Sequence, residues 1–142
     1  MAASVKYDDV EVGSEIPAQT FTIQRVNLVM YAGASGDFNP IHWNERIATA
    51  VGLPNVIAHG MFTMAEAGRL LTDWTGDPGA VEEYGVRFSA PVPVPDDDRG
   101  ADLEVSGRIS EKLPDNRVVV DITARVGESK VLTAARAVVR LA

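Results

Sequence analysis

Between Met61 and Trp74 the chain places apolar or small side chains at Met61, Met64, Ala65, Ala67, Gly68, Leu71 and Trp74. Glu66, Arg69 and Asp73 are the chief polar interruptions. This spacing predicts a helix that is apolar over most of its circumference, and such a helix is buried or nearly so. Thr75-Gly76-Asp77-Pro78-Gly79 stops it. The rest of the chain must therefore supply something that wraps one helix. After the break the period changes. Val81 to Ser89, Ala101 to Leu113, Arg117 to Val126 and Val131 to Leu141 carry β-branched residues in partial alternation, as at Val118/Val120/Ile122. Pro114-Asp115-Asn116 and Gly127-Glu128-Ser129 are tight polar connections between them. The pattern predicts an antiparallel meander, and the whole is α+β. Asp96 to Asp98 are expected at a solvated hairpin tip, not at a metal site.

Upstream of the long helix, residues 1–20 are polar, and Val5 to Val12 is expected to dock as a short edge strand. Phe21 to Ile23 reads as a strand end, with Thr22 as a cap for the helix that follows. Val26, Val29 and Met30, flanked by Leu28, stand at helical spacing and predict an amphipathic helix over about Arg25–Ala34. Ser35-Gly36 ends it, because glycine tolerates the left-handed conformation at a helix C-terminus. Asp37 to His42 is then a non-helical crossing, since Pro40 forces Asn39 into an extended conformation. Asn44 is the expected N-cap of a second short helix, Glu45–Val51, stopped by Gly52 and Pro54.

The 142 residues fit one domain, 1–142, with a sizeable core. A net charge of −7 argues against nucleic acid or an anionic membrane as the main partner. There is no cysteine, so thiol and disulfide chemistry are excluded, and a reducing compartment is allowed. Two histidines without cysteine make a zinc site a poor expectation. No apolar run approaches the roughly 20 residues of a membrane span, and the N-terminus lacks the apolar core of a signal peptide. The expectation is a cytoplasmic protein.

The stretch Tyr31–Ala48 and the AHGM box at Ala58–Met61 hold both histidines, His42 and His59, together with one well-framed carboxylate, Asp37. A carboxylate and an imidazole converging on one pocket can bind a water and move protons near neutral pH. The alternative is that Asp37 satisfies loop amides and His42 is a bonded core residue. Gly60 opens the long helix, where an N–H lies at the positive end of the helix dipole and can polarise a carbonyl. It can equally be a plain helix-entry glycine. His59 is favoured as an anchor of this turn over a catalytic group.

Taken together, SGDFNPIH at Ser35–His42, Tyr31 before it, Ala48 after it and AHG at Ala58–Gly60 strongly resemble the MaoC-like family of hot-dog proteins. These are the R-specific enoyl hydratases and (3R)-hydroxyacyl dehydratases. Val86-Arg87-Phe88 with Pro91-Val92 recurs there too. Ala34 departs from the pattern, which prefers a larger aliphatic residue or glycine, and so do the three aspartates after Pro95. Chain length, GDPGAV at 76–81 and VPVP at 92–95 look most similar to the B subunit of the actinobacterial (mycobacterial-type) (3R)-hydroxyacyl-ACP dehydratase. The resemblance implies a single hot-dog fold, an antiparallel sheet wrapped around a long central helix, paired into a homodimer or a heterodimer with a related subunit. It implies Asp37 and His42 as the catalytic pair, Gly60 as donor of the oxyanion N–H, and Asn39 and His59 as supporting residues. The substrate would be a (3R)-3-hydroxyacyl or trans-2-enoyl thioester of acyl carrier protein or coenzyme A. No cofactor or metal is called for, because the thioester already acidifies C2. Met61, Met64 and Ala65 are expected beside an acyl tunnel. A hot-dog thioesterase and a tunnel-forming, non-catalytic partner subunit are the competing readings.

Overall fold

The computed structural model describes residues 3–142; Met1 and Ala2, which begin the polar N-terminal stretch, lie outside them. The elements run β1 (Glu15–Ile23), α1 (Arg25–Ser35), α2 (Glu45–Ala50), α3 (Gly60–Thr75), β2 (Val81–Phe88), β3 (Ala101–Leu113), β4 (Arg117–Val126) and β5 (Ser129–Arg140). The five strands form one antiparallel sheet in the order β1-β3-β4-β5-β2. It wraps α3, giving the hot-dog arrangement of a sheet around a helix.

The inward face of the sheet is set by period-two alternation. Leu103, Val105 and Ile109 of β3 are buried, as are Val118, Val120 and Ile122 of β4. Against them α3 buries Ala67, Leu70 and Leu71. Tyr84 on β2 donates its hydroxyl to the carbonyl of Met64, 2.7 Å away, and so ties the edge strand to the helix. Burial pushes the Tyr84 hydroxyl pKa up to about 12, so it stays protonated and remains a donor. The helix is not covered on every side. Met61, Ala65, Arg69 and Asp73, spaced by four, form an exposed stripe along it.

Several expectations change. Strands β3, β4 and β5 do form a meander, but β2 crosses to the far edge beside β5, with Phe88 opposite Leu132. Val5 to Val12 is not a strand: it holds a 3-10 turn at Tyr7–Asp9. Lys112 Nζ clamps this segment through the carbonyls of Tyr7 and Val10, 2.8 and 2.7 Å away. The edge strand is β1, which pairs with β3 and breaks register between Ile16 and Gln19, where Pro17 cannot donate to a ladder. Thr22 caps nothing; its hydroxyl donates to Asp102 across the β1–β3 pair. The cap of α1 is Gln24, in a reciprocal box with Asn27. That helix buries Leu28 and Ala32, while Val26, Val29 and Met30 face outward. Asp96 to Asp98 connect unpaired strands, not a hairpin. There Asp97 accepts from the amides of Arg99 and Gly100.

Gly100 shows how tightly this connection seats. Its φ is +70°, and a Cβ there would meet the Ile23 carbonyl oxygen at 2.3 Å. Left-handed strain and a backbone clash add. Gly100→Ala should cost at least about 2 kcal/mol, read as a lowered urea midpoint. A midpoint equal to wild type would mean that the segment does not pack on β1. Among the described residues, no helix is long and apolar enough to cross a membrane.

Candidate active site

The crossing segment is shaped by its own short side chains. Gly36 takes φ +75° at the end of α1 and turns the chain, its N–H bonded to the Ala32 carbonyl. Ser35 Oγ accepts from the Asp37 amide, Asp37 Oδ1 from the Asn39 amide, and Asn39 Oδ1 from the Ile41 amide. The Trp43 indole N–H closes the loop onto the Phe38 carbonyl at 3.0 Å. Pro40 to His42 form a 3-10 turn capped by Asn39, so the end of the crossing is helical, contrary to expectation. The turn follows from Pro40 at its first position, where a missing N–H is harmless. Asn44 caps α2 as expected, accepting from the Ile47 amide.

This turn buries His42, which is 7% exposed, and aims its Nδ1 at the Ile57 carbonyl, 2.7 Å away. A carbonyl can only accept, so Nδ1 carries a proton, and in the neutral ring Nε2 is the nitrogen with the lone pair. Nε2 lies 3.9 Å from Asp37 Oδ2. The Asp37 side chain is half exposed, and its other oxygen is committed to the loop. The gap is too long for a direct hydrogen bond, but one water or one substrate hydroxyl beside the pair can reach both groups.

Residues Val56 to Ala58 run beside Val92 to Val94, with Ala58 N–H on the Val92 carbonyl and Val94 N–H on that of Val56. This rung delivers His59 to the start of α3. His59 is 1% exposed and stacks on His42, with ring centroids 3.9 Å apart and planes inclined by 24°. Its Nε2–H donates to the Asp37 carbonyl at 3.1 Å, leaving Nδ1 buried without a partner. Burial holds the His59 pKa below its usual 6.5, and a charge on His42 would lower it too; the bond to the Asp37 carbonyl and the Asp37 carboxylate oppose this.

Gly60 is the first residue of α3, so its N–H has no acceptor within the helix. Phe88 lies over it. A Cβ on Gly60 would meet three atoms of that ring at 3.2–3.3 Å. Phe88 and the Ile57 carbonyl were not assigned a place here from sequence. Phe88 carried a signal, the Val86-Arg87-Phe88 run, whereas a backbone carbonyl carries none.

Asp37, His42 and His59 offer ligand atoms within 4.8 Å of one another. A metal binds an imidazole in the ring plane, and two nearly parallel rings stacked face to face cannot both aim a lone pair at one ion. The stacked rings do not fit a shared metal, whereas Asp37 and His42 can pass a proton through one bridging water. Of the residues expected beside an acyl tunnel, Ala65 lines an open groove of about 230 Å³ with Gly68, Leu71, Val81 and Tyr84. Met61 and Met64 do not line that groove.

The family model described as MaoC like domain matches residues 9–128. The chain is 44% identical over 79 residues to 3-hydroxyacyl-thioester dehydratase X of Mycobacterium tuberculosis, covering 56% of this chain and 27% of that protein. It is 30% identical over 135 residues to the (R)-specific enoyl-CoA hydratase of Rhodospirillum rubrum, covering 92% of each. Among solved structures, a MaoC-like dehydratase at 44% identity superimposes with a TM-score of 0.94 over 99% of this chain and 43% of that one. The chain thus spans about a quarter of the first relative and less than half of that solved chain.

Proposed function

Because the chain belongs to the MaoC-like domain family, we propose that it adds water to trans-2-enoyl thioesters and removes it from (3R)-3-hydroxyacyl thioesters, carried by acyl carrier protein or coenzyme A, in fatty-acid metabolism, at the stage of chain elongation. The observation that carries this reading is the Asp37–His42 pair, with Nε2 of His42 3.9 Å from the Asp37 oxygen that the loop leaves free. In hydration the pair takes a proton from water as the hydroxide adds to C3, and C2 receives a proton. One proton enters the pair and one leaves, so the site ends as it began. Dehydration is the reverse. Negative charge collects on the thioester oxygen in the enolate-like transition state. The Gly60 N–H, at the positive end of α3, is the donor for that oxygen. Asn39 holds the loop, and no metal or redox cofactor takes part.

We propose further that the domain, taken as 1–142, works in the cytoplasm as a pair of hot-dog domains. Phe38, Met61 and Phe88, beside Asp37 and Gly60, are 62%, 57% and 53% exposed, and Val26, Val29 and Met30 expose a face of α1. Apolar clusters of this kind mark interaction surfaces, and β2 presents an open edge. The second domain is another copy or a related subunit.

The test is to purify the chain and follow the enoyl-thioester absorbance with crotonyl-CoA and longer enoyl-CoAs. Loss of the band with formation of the (3R)-hydroxyacyl product is expected, and chromatography should give a dimer. Release of free thiol without hydration would replace this reading by a thioesterase. Inactivity both alone and with candidate hot-dog partners would remove it.

A further inference from the structure

We infer that His59 is a positioning residue that grips Asp37 and His42 at once and sets them in one fixed arrangement, with the two histidines in opposite tautomers. The inference rests on the reading that Asp37 and His42 do the chemistry.

His59 occupies the N-cap position of α3, where a side chain ordinarily accepts from the first helical amides, yet it makes no such bond. Its ring is turned to the crossing loop instead. One edge donates to the Asp37 carbonyl at 3.1 Å, and one face covers His42 at 3.9 Å. Tyr31 packs against the same ring at 4.7 Å, and Tyr31 itself packs on Phe62 of α3. The imidazole is thereby held between α1, the loop and α3.

The Asp37–Asn39 stretch is exposed and belongs to no regular element. The Asp37 carbonyl is anchored by His59 and its Oδ1 by the Asn39 amide, while Oδ2 stays free to face His42 Nε2. The same ring limits how far His42 can tilt. One side chain thus sets the separation of the two groups, and Gly60 follows it directly in the chain. A merely structural residue here would be better met by phenylalanine. A buried Nδ1 with no partner is a cost to stability that a hydrocarbon ring would avoid. What phenylalanine lacks is the donor to Asp37.

The tautomers follow from the acceptors. The Ile57 carbonyl requires Nδ1–H on His42, and the Asp37 carbonyl requires Nε2–H on His59. Burial disfavours the charged form of His59, against the opposing pull of Asp37, and so favours the neutral ring that the single Nε2–H donor requires.

The chain contains two histidines, so long-range 1H–15N spectra of the 142-residue chain hold two ring systems. Above neutral pH they should show one Nδ1–H and one Nε2–H tautomer, and His59→Gln should delete the Nε2–H set. Two rings of the same tautomer would overturn the inference. For activity, His59→Gln places an amide donor near the position of Nε2, whereas His59→Phe keeps the stack and loses the donor. His59→Phe should lower kcat by about 10- to 100-fold, with KM within about threefold because substrate does not touch this ring. His59→Gln should recover part of that loss. A folded His59→Phe enzyme with wild-type kcat would also overturn it. A wild-type chain inactive on every enoyl thioester would instead sink the reading of the pair as catalytic, and the tautomer spectra would still decide the geometry.

Discussion

Asp37→Asn and His42→Ala will each lower enoyl-thioester hydration by on the order of 100-fold or more, while far-ultraviolet circular dichroism stays native. The two substitutions act differently. Asn at 37 keeps an oxygen for the Asn39 amide, so the loop turn survives, but it carries no charge and takes up no proton near neutral pH. Ala at 42 removes the buried ring beneath His59 together with its bond to the Ile57 carbonyl. Some of its effect will therefore come from a loosened turn. His42→Asn separates the two causes. Its amide nitrogen can take the place of Nδ1 and donate to the Ile57 carbonyl, yet nothing stands at the position of Nε2. Turnover as low as in His42→Ala, with a melting temperature nearer wild type, assigns the loss to the missing base. Near-normal turnover in purified Asp37→Asn or His42→Asn would take that residue out of the mechanism.

The parts of this site that sequence could reveal were those made by local chemistry. Gly36 and Pro40 bracket the loop, Asn44 caps α2, and the apolar run from Met61 marks α3 to within a residue at each end. The bounds of β3 and β4 were equally readable, since alternation marks both strands and tight polar turns fix the end of β3 and both ends of β4. Those turns suit their sequence, with Asp115 and Asn116 taking positive φ that their side chains tolerate. Choices settled only by packing were hidden. Helix α1 carries two apolar stripes, and the larger one, Val26, Val29 and Met30, proves to be the exposed one. The small pair, Leu28 and Ala32, fits against the core. Strand order was hidden too, because β2 pairs with β5, the last strand in the chain, and not with β3, which follows it. Within the site, the stack of His59 on His42 joins residues on separate elements through the rung at Val56–Ala58. Asp37 and His42 stand out as residue types in a loop, but the proton on each imidazole depends on carbonyls at Ile57 and Asp37 that have no sequence signature.

Gly60→Pro should cost about 100- to 1,000-fold in kcat, the usual effect of removing one donor from a site that stabilises developing negative charge. Proline is a clean way to delete this N–H. It is favoured at the first position of a helix, where its missing donor breaks no helical bond. The residue before a proline must be extended, and His59 already has φ −59° and ψ 136°. What proline does add is bulk, because a Cβ at this position presses on the Phe88 ring at 3.2 Å. Gly60→Ala is the control, since it introduces the same contact and keeps the amide. If the N–H is the donor, the alanine enzyme keeps most of its kcat and the proline enzyme loses it. Equal losses in both would trace the effect to displacement of Phe88. Pairing each substitution with Phe88→Leu, which relieves the contact, then restores the alanine enzyme and leaves the proline enzyme slow. Full activity in Gly60→Pro would mean that the thioester oxygen is held by some other group, and the helix start would lose its part in the reaction.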